Sequence, residues 1–211
     1  MFSYIREDAE ASQALLLLAH GAGAGKSSAF IEEIASLLVA RRIAVIRFDF
    51  PYMQQMTDTG KRRPPDSSEK LQAHFVALCE QMKREFPMLP VFLGGKSMGG
   101  RIATMILGNT TTEGAVVFGY PFHPPGKPEK LRTAHLETLT KPVKIIQGSR
   151  DTFGSQEECK KYDLSPAVSV NFLTDGDHSL KPRKASGFTH QQHLEQAADL
   201  TAEFILSWCK K

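Results

Sequence analysis

A serine framed by glycines, Gly95-Lys96-Ser97-Met98-Gly99, follows the apolar run Val91-Phe92-Leu93 and precedes the helix-like segment Ile102 to Leu107. G-x-S-x-G in a strand–turn–helix context is the spacing of a nucleophilic serine raised on a sharp turn. Such a turn strains the serine backbone, and a Cβ at either flanking glycine would collide with the neighbouring strand or helix. The helix that starts there aims backbone N–H groups and its positive end at the place where a tetrahedral oxyanion would form. The plainer reading of Ser97 is a helix cap. What separates the two is company: a hydroxyl attacks near neutral pH only if an imidazole takes its proton and a carboxylate orients that imidazole.

Both partners stand where short apolar runs end. Asp151 follows Val143 to Gln147, and His178 follows Val168 to Leu173. Asp175 and Asp177 compete as orienter, but Asp177 adjoins His178 and is badly placed to face its ring. His190 and His193 compete as base, yet they lie in or just before the last helix. The remaining part comes from His20-Gly21-Ala22-Gly23, a turn of small residues after the run Ala14 to Ala19. The oxyanion donors expected are the backbone N–H groups of Ala22 and Met98, with Gly21 or Gly23 replacing Ala22 if the turn is shifted. His20 is expected to pin that turn.

Four residues are expected to bind substrate: Tyr52 and Met53 as an apolar wall, with Met56 behind them, and Lys96 and His123 at the rim. Lys96, Arg101, Arg150 and the basic run Lys61-Arg62-Arg63 bias the cleft towards an anionic substrate, although that run reads more simply as solvated surface. Gly21 to Ser27 also tempts a phosphate-loop reading, but the spacing fails by one residue because His20 stands where the first glycine is required.

The elements that must carry these groups alternate. Continuous apolar runs at Ala14–Ala19, Ile43–Phe48, Val91–Leu93, Ala115–Phe118, Val143–Gln147 and Val168–Leu173 read as strands buried on both faces. Helical spacing recurs after Ser27 or Ser28, from Ser67 and Ser68 through Phe86, near Gln156 to Tyr162, and from Thr189 through Trp208. From Asp49 to Asp66 the prolines and Gly60 read as irregular chain. The expectation is α/β: a mostly parallel sheet of about six strands with helices on both faces, forming a single domain over residues 1–211. Only about 20 residues, Tyr120 to Thr140, separate two late strands, too few for a lid domain, which suits short acyl groups.

Composition excludes other classes. A net charge of +3 over 211 residues is too small to imply nucleic-acid binding. No run approaches the ~20 apolar residues of a membrane span, and Met1 to Gln13 lacks the pattern of a signal peptide. Three scattered cysteines, Cys79, Cys159 and Cys209, match neither a disulfide framework nor a zinc spacing, so a cytoplasmic setting is expected.

Taken together, Leu16-Leu17-Leu18-Ala19-His20-Gly21-Ala22-Gly23-Ala24, Arg47-Phe48-Asp49-Phe50-Pro51-Tyr52, Gly94-Gly95-Lys96-Ser97-Met98-Gly99-Gly100-Arg101, Gly119-Tyr120-Pro121-Phe122-His123 and Gly148-Ser149-Arg150-Asp151 resemble a group of small α/β-hydrolases. These are bacterial hydrolases similar to testis-expressed and NSL-complex-subunit proteins, near dienelactone hydrolases. The order Ser…Asp…His agrees with that fold. The resemblance implies an α/β-hydrolase fold without a lid and Ser97, Asp151 and His178 as a triad. The reading that follows is a serine hydrolase cleaving a small carboxylic ester, or a thioester or lactone, through an acyl-enzyme, with no metal or organic cofactor. A hydrolase-fold module that binds protein without catalysis is the alternative.

Overall fold

The computed structural model describes residues 2–209. Its centre is a seven-stranded sheet in the order β1-β3-β2-β4-β5-β6-β7. The strands are β1 (Tyr4–Glu7), β2 (Ala14–Ala19), β3 (Ile43–Phe48), β4 (Val91–Lys96), β5 (Ala115–Phe118), β6 (Val143–Gly148) and β7 (Val168–Leu173). All neighbours run parallel except β1, which pairs antiparallel with β3. The runs expected to be strands are strands, and β2 to β5 are buried at every position, as interior strands covered on both faces must be. The strand β7, expected to be buried on both faces, lies at the sheet's edge, where only Val168 and Leu173 of its six residues are buried.

Two layers of helix cover the sheet. On one face α1 (Ala29–Val39) and α6 (His190–Trp208) enclose a core of Leu16, Leu18, Ile34, Leu38, Phe92 and Ile205. On the other, α2 (Pro51–Thr59), α3 (Ser68–Glu85) and α4 (Met98–Ile106) cover Leu17, Phe48, Phe75, Leu93, Ile102 and Val117. The helix α5 (Gln156–Cys159) is a single turn closed by a Ser155–Glu158 capping box.

The structure corrects the sequence reading in two further places. The sheet gains β1, an edge strand whose four residues Tyr-Ile-Arg-Glu are partly exposed and carry no apolar run. The segment read as irregular contains α2. Its Pro51 occupies the first helical turn, where the missing N–H costs nothing, and Gly60 ends the helix at φ +66. Pro51 and Gly60 thus mark the start and the end of a helix rather than excluding one.

The chain passes from β2 to β3 on one side and then crosses to β4 on the other, so the strand order reverses between β2 and β4. A crevice opens beyond the carboxyl ends of the strands at such a reversal. His20 to Ala24 leave β2 there, and Ser97 leaves β4. Between β5 and β6 only one short 3-10 turn, Ala134–Leu136, interrupts the connection, and among the described residues no lid domain is inserted there. Cys79, Cys159 and Cys209 are free thiols. No helix among the described residues is long and apolar enough to cross a membrane.

Candidate active site

Ser97 is the hinge between β4 and α4, with φ 51 and ψ −115. A non-glycine residue holds such angles only when its surroundings leave no alternative. Those surroundings are backbone. A Cβ on Gly99 would stand 2.4 Å from the His20 carbonyl oxygen, and one on Gly95 would stand 2.6 Å from the Gly100 nitrogen. Only glycine lets β4, α4 and the end of β2 close so tightly.

Asp151, His178 and Ser97 form a continuous line. His178 Nε2 lies 2.8 Å from Ser97 Oγ, and Nδ1 lies 2.8 Å from Asp151 Oδ2. A carboxylate accepts, so that contact places the proton on Nδ1 and leaves Nε2 to accept from the serine hydroxyl. Asp151 is wholly buried. Its Oδ1 accepts the Phe153 N–H at 2.8 Å, and its Oδ2 also accepts Gln147 Nε2 at 2.9 Å, so each oxygen has a donor besides the imidazole.

Both competitors of Asp151 are occupied elsewhere. Asp175 pairs with Arg183, and Asp177 Oδ1 accepts the Ser179 and Lys181 N–H groups. The competing histidines serve the loop that carries His178. His190 Nε2 meets the Ser179 carbonyl at 3.0 Å, and His193 Nδ1 meets the Leu180 carbonyl at 2.7 Å. The first turn of α6 thereby holds residues 179 and 180 in place.

Two groups escaped the sequence reading. Gln147 is fully buried and ties Asp151 to the Tyr120 and Gly154 backbone. A lone amide inside the apolar run Val143–Gln147 was the available signal. Phe153 stacks on the His178 ring, with centroids 4.1 Å apart and planes at 28°. No pattern in the sequence marks that contact.

The turn after β2 is anchored from behind. His20 is buried; its Nε2 accepts the Phe50 N–H at 3.1 Å and its Nδ1 lies 2.6 Å from the Gly21 carbonyl. Burial disfavours the charged ring and lowers its pKa, and a carbonyl only accepts, so Nδ1 carries the proton. Tyr52 is also fully buried, and its hydroxyl donates to the Ala22 carbonyl at 3.0 Å, with the Gly21 carbonyl at 3.4 Å. In a trans peptide the N–H points opposite the carbonyl. Holding the Gly21 and Ala22 carbonyls against His20 and Tyr52 therefore turns the Ala22 and Gly23 N–H groups away from those two side chains. Met98 is the first residue of α4, where an N–H has no intrahelical acceptor.

A cavity of about 330 Å³ opens over Ser97, walled by Ala22, Ala24, Phe30, Ile31, Lys96 and His178. Of the four residues expected to bind substrate, only Lys96 borders it. Tyr52 stands behind the turn, and Met53 lines a separate depression with Asp49 and Thr57. His123 is buried against the Pro124 carbonyl and 3.5 Å from Glu158. Those side chains were drawn inward by packing that the sequence does not display.

The expected positive bias thins out as well. Arg150 is engaged by Asp175, and Lys61, Arg62 and Arg63 are exposed around another depression. Lys26, the lysine of the phosphate-loop-like run, pairs with Asp49 and Ser3. Among the described residues no cluster of His, Cys, Asp and Glu could hold a metal ion.

Comparison with known proteins agrees with this architecture. A family model described as an alpha/beta hydrolase domain matches residues 12–206. Among curated proteins, human monoglyceride lipase is 31% identical over 93 residues, 44% of this chain but only 29% of the lipase. The chain thus spans under a third of that relative. Among solved structures, dienelactone hydrolase from Anabaena variabilis superposes with a TM-score of 0.73 at 18% identity, covering 97% of this chain and 91% of that one. A lidless α/β serine hydrolase from Xanthomonas campestris gives 0.73 at 15% identity, with 97% and 88% covered. Est1E from Butyrivibrio proteoclasticus with ferulic acid bound gives 0.72 at 15% identity, with 100% and 96% covered. At these identities the likeness speaks for the fold.

Proposed function

Because this chain belongs to the alpha/beta hydrolase domain family, we propose that it is a serine hydrolase cleaving small carboxylic esters, thioesters or lactones through an acyl-enzyme. What supports the reading most is the contact of His178 with Asp151 and Ser97 at 2.8 Å on each side, joined to the strained backbone of Ser97. Ser97 Oγ attacks the carbonyl carbon while its proton passes to His178 Nε2. Asp151 steadies the imidazolium that forms. The N–H groups of Met98 and Ala22 hold the oxyanion. Collapse expels the alcohol, which leaves with the proton from Nε2, and water then repeats the sequence on the acyl group. The cytoplasmic setting, the action of residues 1–211 as one domain, and membership of the narrower group near the testis-expressed proteins belong to the same proposal.

The cavity over Ser97 is small and open to its Ala22 and Phe30 wall, which favours short acyl chains or an aromatic acyl group over long lipid tails. The ferulic acid held by Est1E makes methyl ferulate a reasonable probe. The expected result is hydrolysis of nitrophenyl acetate and butyrate, with Ser97→Ala losing at least about a thousandfold in kcat. Equal rates in the Ser97→Ala variant, or a strong preference for long-chain esters, would count against the reading.

A further inference from the structure

Lys96 directly precedes Ser97, yet its ammonium does not point out to solvent. It is 9% exposed, and its Nζ donates to the His178 carbonyl at 2.5 Å. The stem runs beside Gly21, where a Cβ would lie 3.7 Å from Lys96 Cγ, and the Phe30 ring lies 5.6 Å from Nζ. Space for this contact comes from Gly119, at the end of β5. Its φ is +65, and a Cβ there would stand 2.6 Å from the His178 carbonyl oxygen and 2.9 Å from Lys96 Nζ. The chain therefore keeps a gap in β5's exit through which a side chain of β4 reaches the loop after β7.

We propose that Lys96 is a positioning residue that ties the turn carrying Ser97 to the backbone of His178. The inference rests on the serine-hydrolase reading. Ser97 leaves β4 while His178 follows β7, with β5 and β6 between them, so their contact depends on how firmly the far loop is held. Arg183, His190 and His193 hold that loop from its outer side. Lys96 holds it from the nucleophile's own strand. The charged and titratable groups that face the ammonium are Asp151 after β6 and Asp177 and His178 in the loop itself. Burial pushes the ammonium down to about 8, with Asp151 and Asp177 opposing. An ammonium–carbonyl bond is charge-assisted and roughly twice as strong as the neutral amine's. The link is thus firm below that pH and slackens above it.

The test compares wild type and Lys96→Met in ester hydrolysis from about pH 6 to about pH 10, together with the carbonyl ¹³C shift of His178 in ¹³C-histidine-labelled protein. Lys96→Met is expected to lose about tenfold in kcat at neutral pH with KM within about twofold. The wild type should show a fall in kcat and a step in the His178 carbonyl shift, both centred near pH 8, and the variant should show neither. Gly119→Ala, which crowds the same bond without removing the charge, should also lower kcat.

An unchanged kcat and pH profile in Lys96→Met overturns the inference. So does an effect confined to KM for carboxylated esters, which would make the ammonium a substrate anchor. Should Lys96→Met not fold, the wild-type carbonyl titration decides alone, and a flat shift through pH 8 overturns it. If the step is present but no ester is cleaved, the serine-hydrolase reading fails and the link survives.

Discussion

Two glycine-rich turns meet over the middle of the sheet, one leaving β2 and one leaving β4, and they hold their shape by different means. At the second, backbone lies against backbone: a Cβ on Gly95 or Gly99 would fall well inside contact distance of main-chain atoms. At Gly21 and Gly23 in the first there is room. A Cβ on Gly21 would meet its nearest neighbour at 3.6 Å, and one on Gly23 would meet nothing within 4 Å. That turn keeps its shape through bonds from behind, given by His20 and Tyr52, and through Lys26, whose N–H donates to Asp49 at 2.8 Å and whose carbonyl accepts Arg47 at 2.6 Å. The same residue type thus does two jobs. In one turn glycine is required by exclusion, and in the other it follows the path that polar anchors impose.

The comparison can be broken at the tight end first. Gly99→Ala should destabilise the fold by about 3 kcal/mol or more, because neither His20 nor Ala19 can move its carbonyl without opening the sheet. Thermal unfolding checks this, and a variant melting within a degree or two of wild type would show that the turn has slack. Next comes the anchored turn. Tyr52→Phe removes one hydroxyl from the Ala22 carbonyl, so it should cost only about 1 kcal/mol of stability. It should cost more in turnover, about tenfold in kcat with KM little changed, since a misaimed N–H is felt in the transition state. Steady-state kinetics alongside unfolding curves separate the two. The smallest effect is expected at Gly23→Ala, where open space and a φ outside the left-handed region predict a change in stability within about 1 kcal/mol, of stabilising sign. A loss as large as that of Gly99→Ala would erase the distinction.

The same contrast explains what the sequence could tell. The meeting of Ser97, Asp151 and His178 at one rim was legible because each follows a strand-like run, and a parallel sheet delivers the residues after such runs to one edge. Gly95 and Gly99 were legible because exclusion leaves few other residues. Of the anchors acting from behind, His20 was legible because it opens the turn it pins, whereas Tyr52 leaves no such mark. Tyr52 belongs to α2, itself hidden because Pro51 and Gly60, residues that usually exclude a helix, stand at its first and capping positions. Its hydroxyl meets Ala22 across 30 positions of chain, a distance that local patterning does not span. Gln147 and Phe153 lie near Asp151 in sequence, yet their partners are set by how β6 and the His178 loop close on each other. The strand β1 was silent for a simpler reason: an edge strand of four mixed residues buries too little to show a period.

Hydrolysis as proposed requires Ser97 as the nucleophile. Labelling the protein with a fluorophosphonate and mapping the modified peptide tests this most directly. The adduct should sit on Ser97, disappear in Ser97→Ala and form far more slowly in His178→Ala. A wild-type protein that stays unlabelled, or a Ser97→Ala variant that labels equally well, would contradict it.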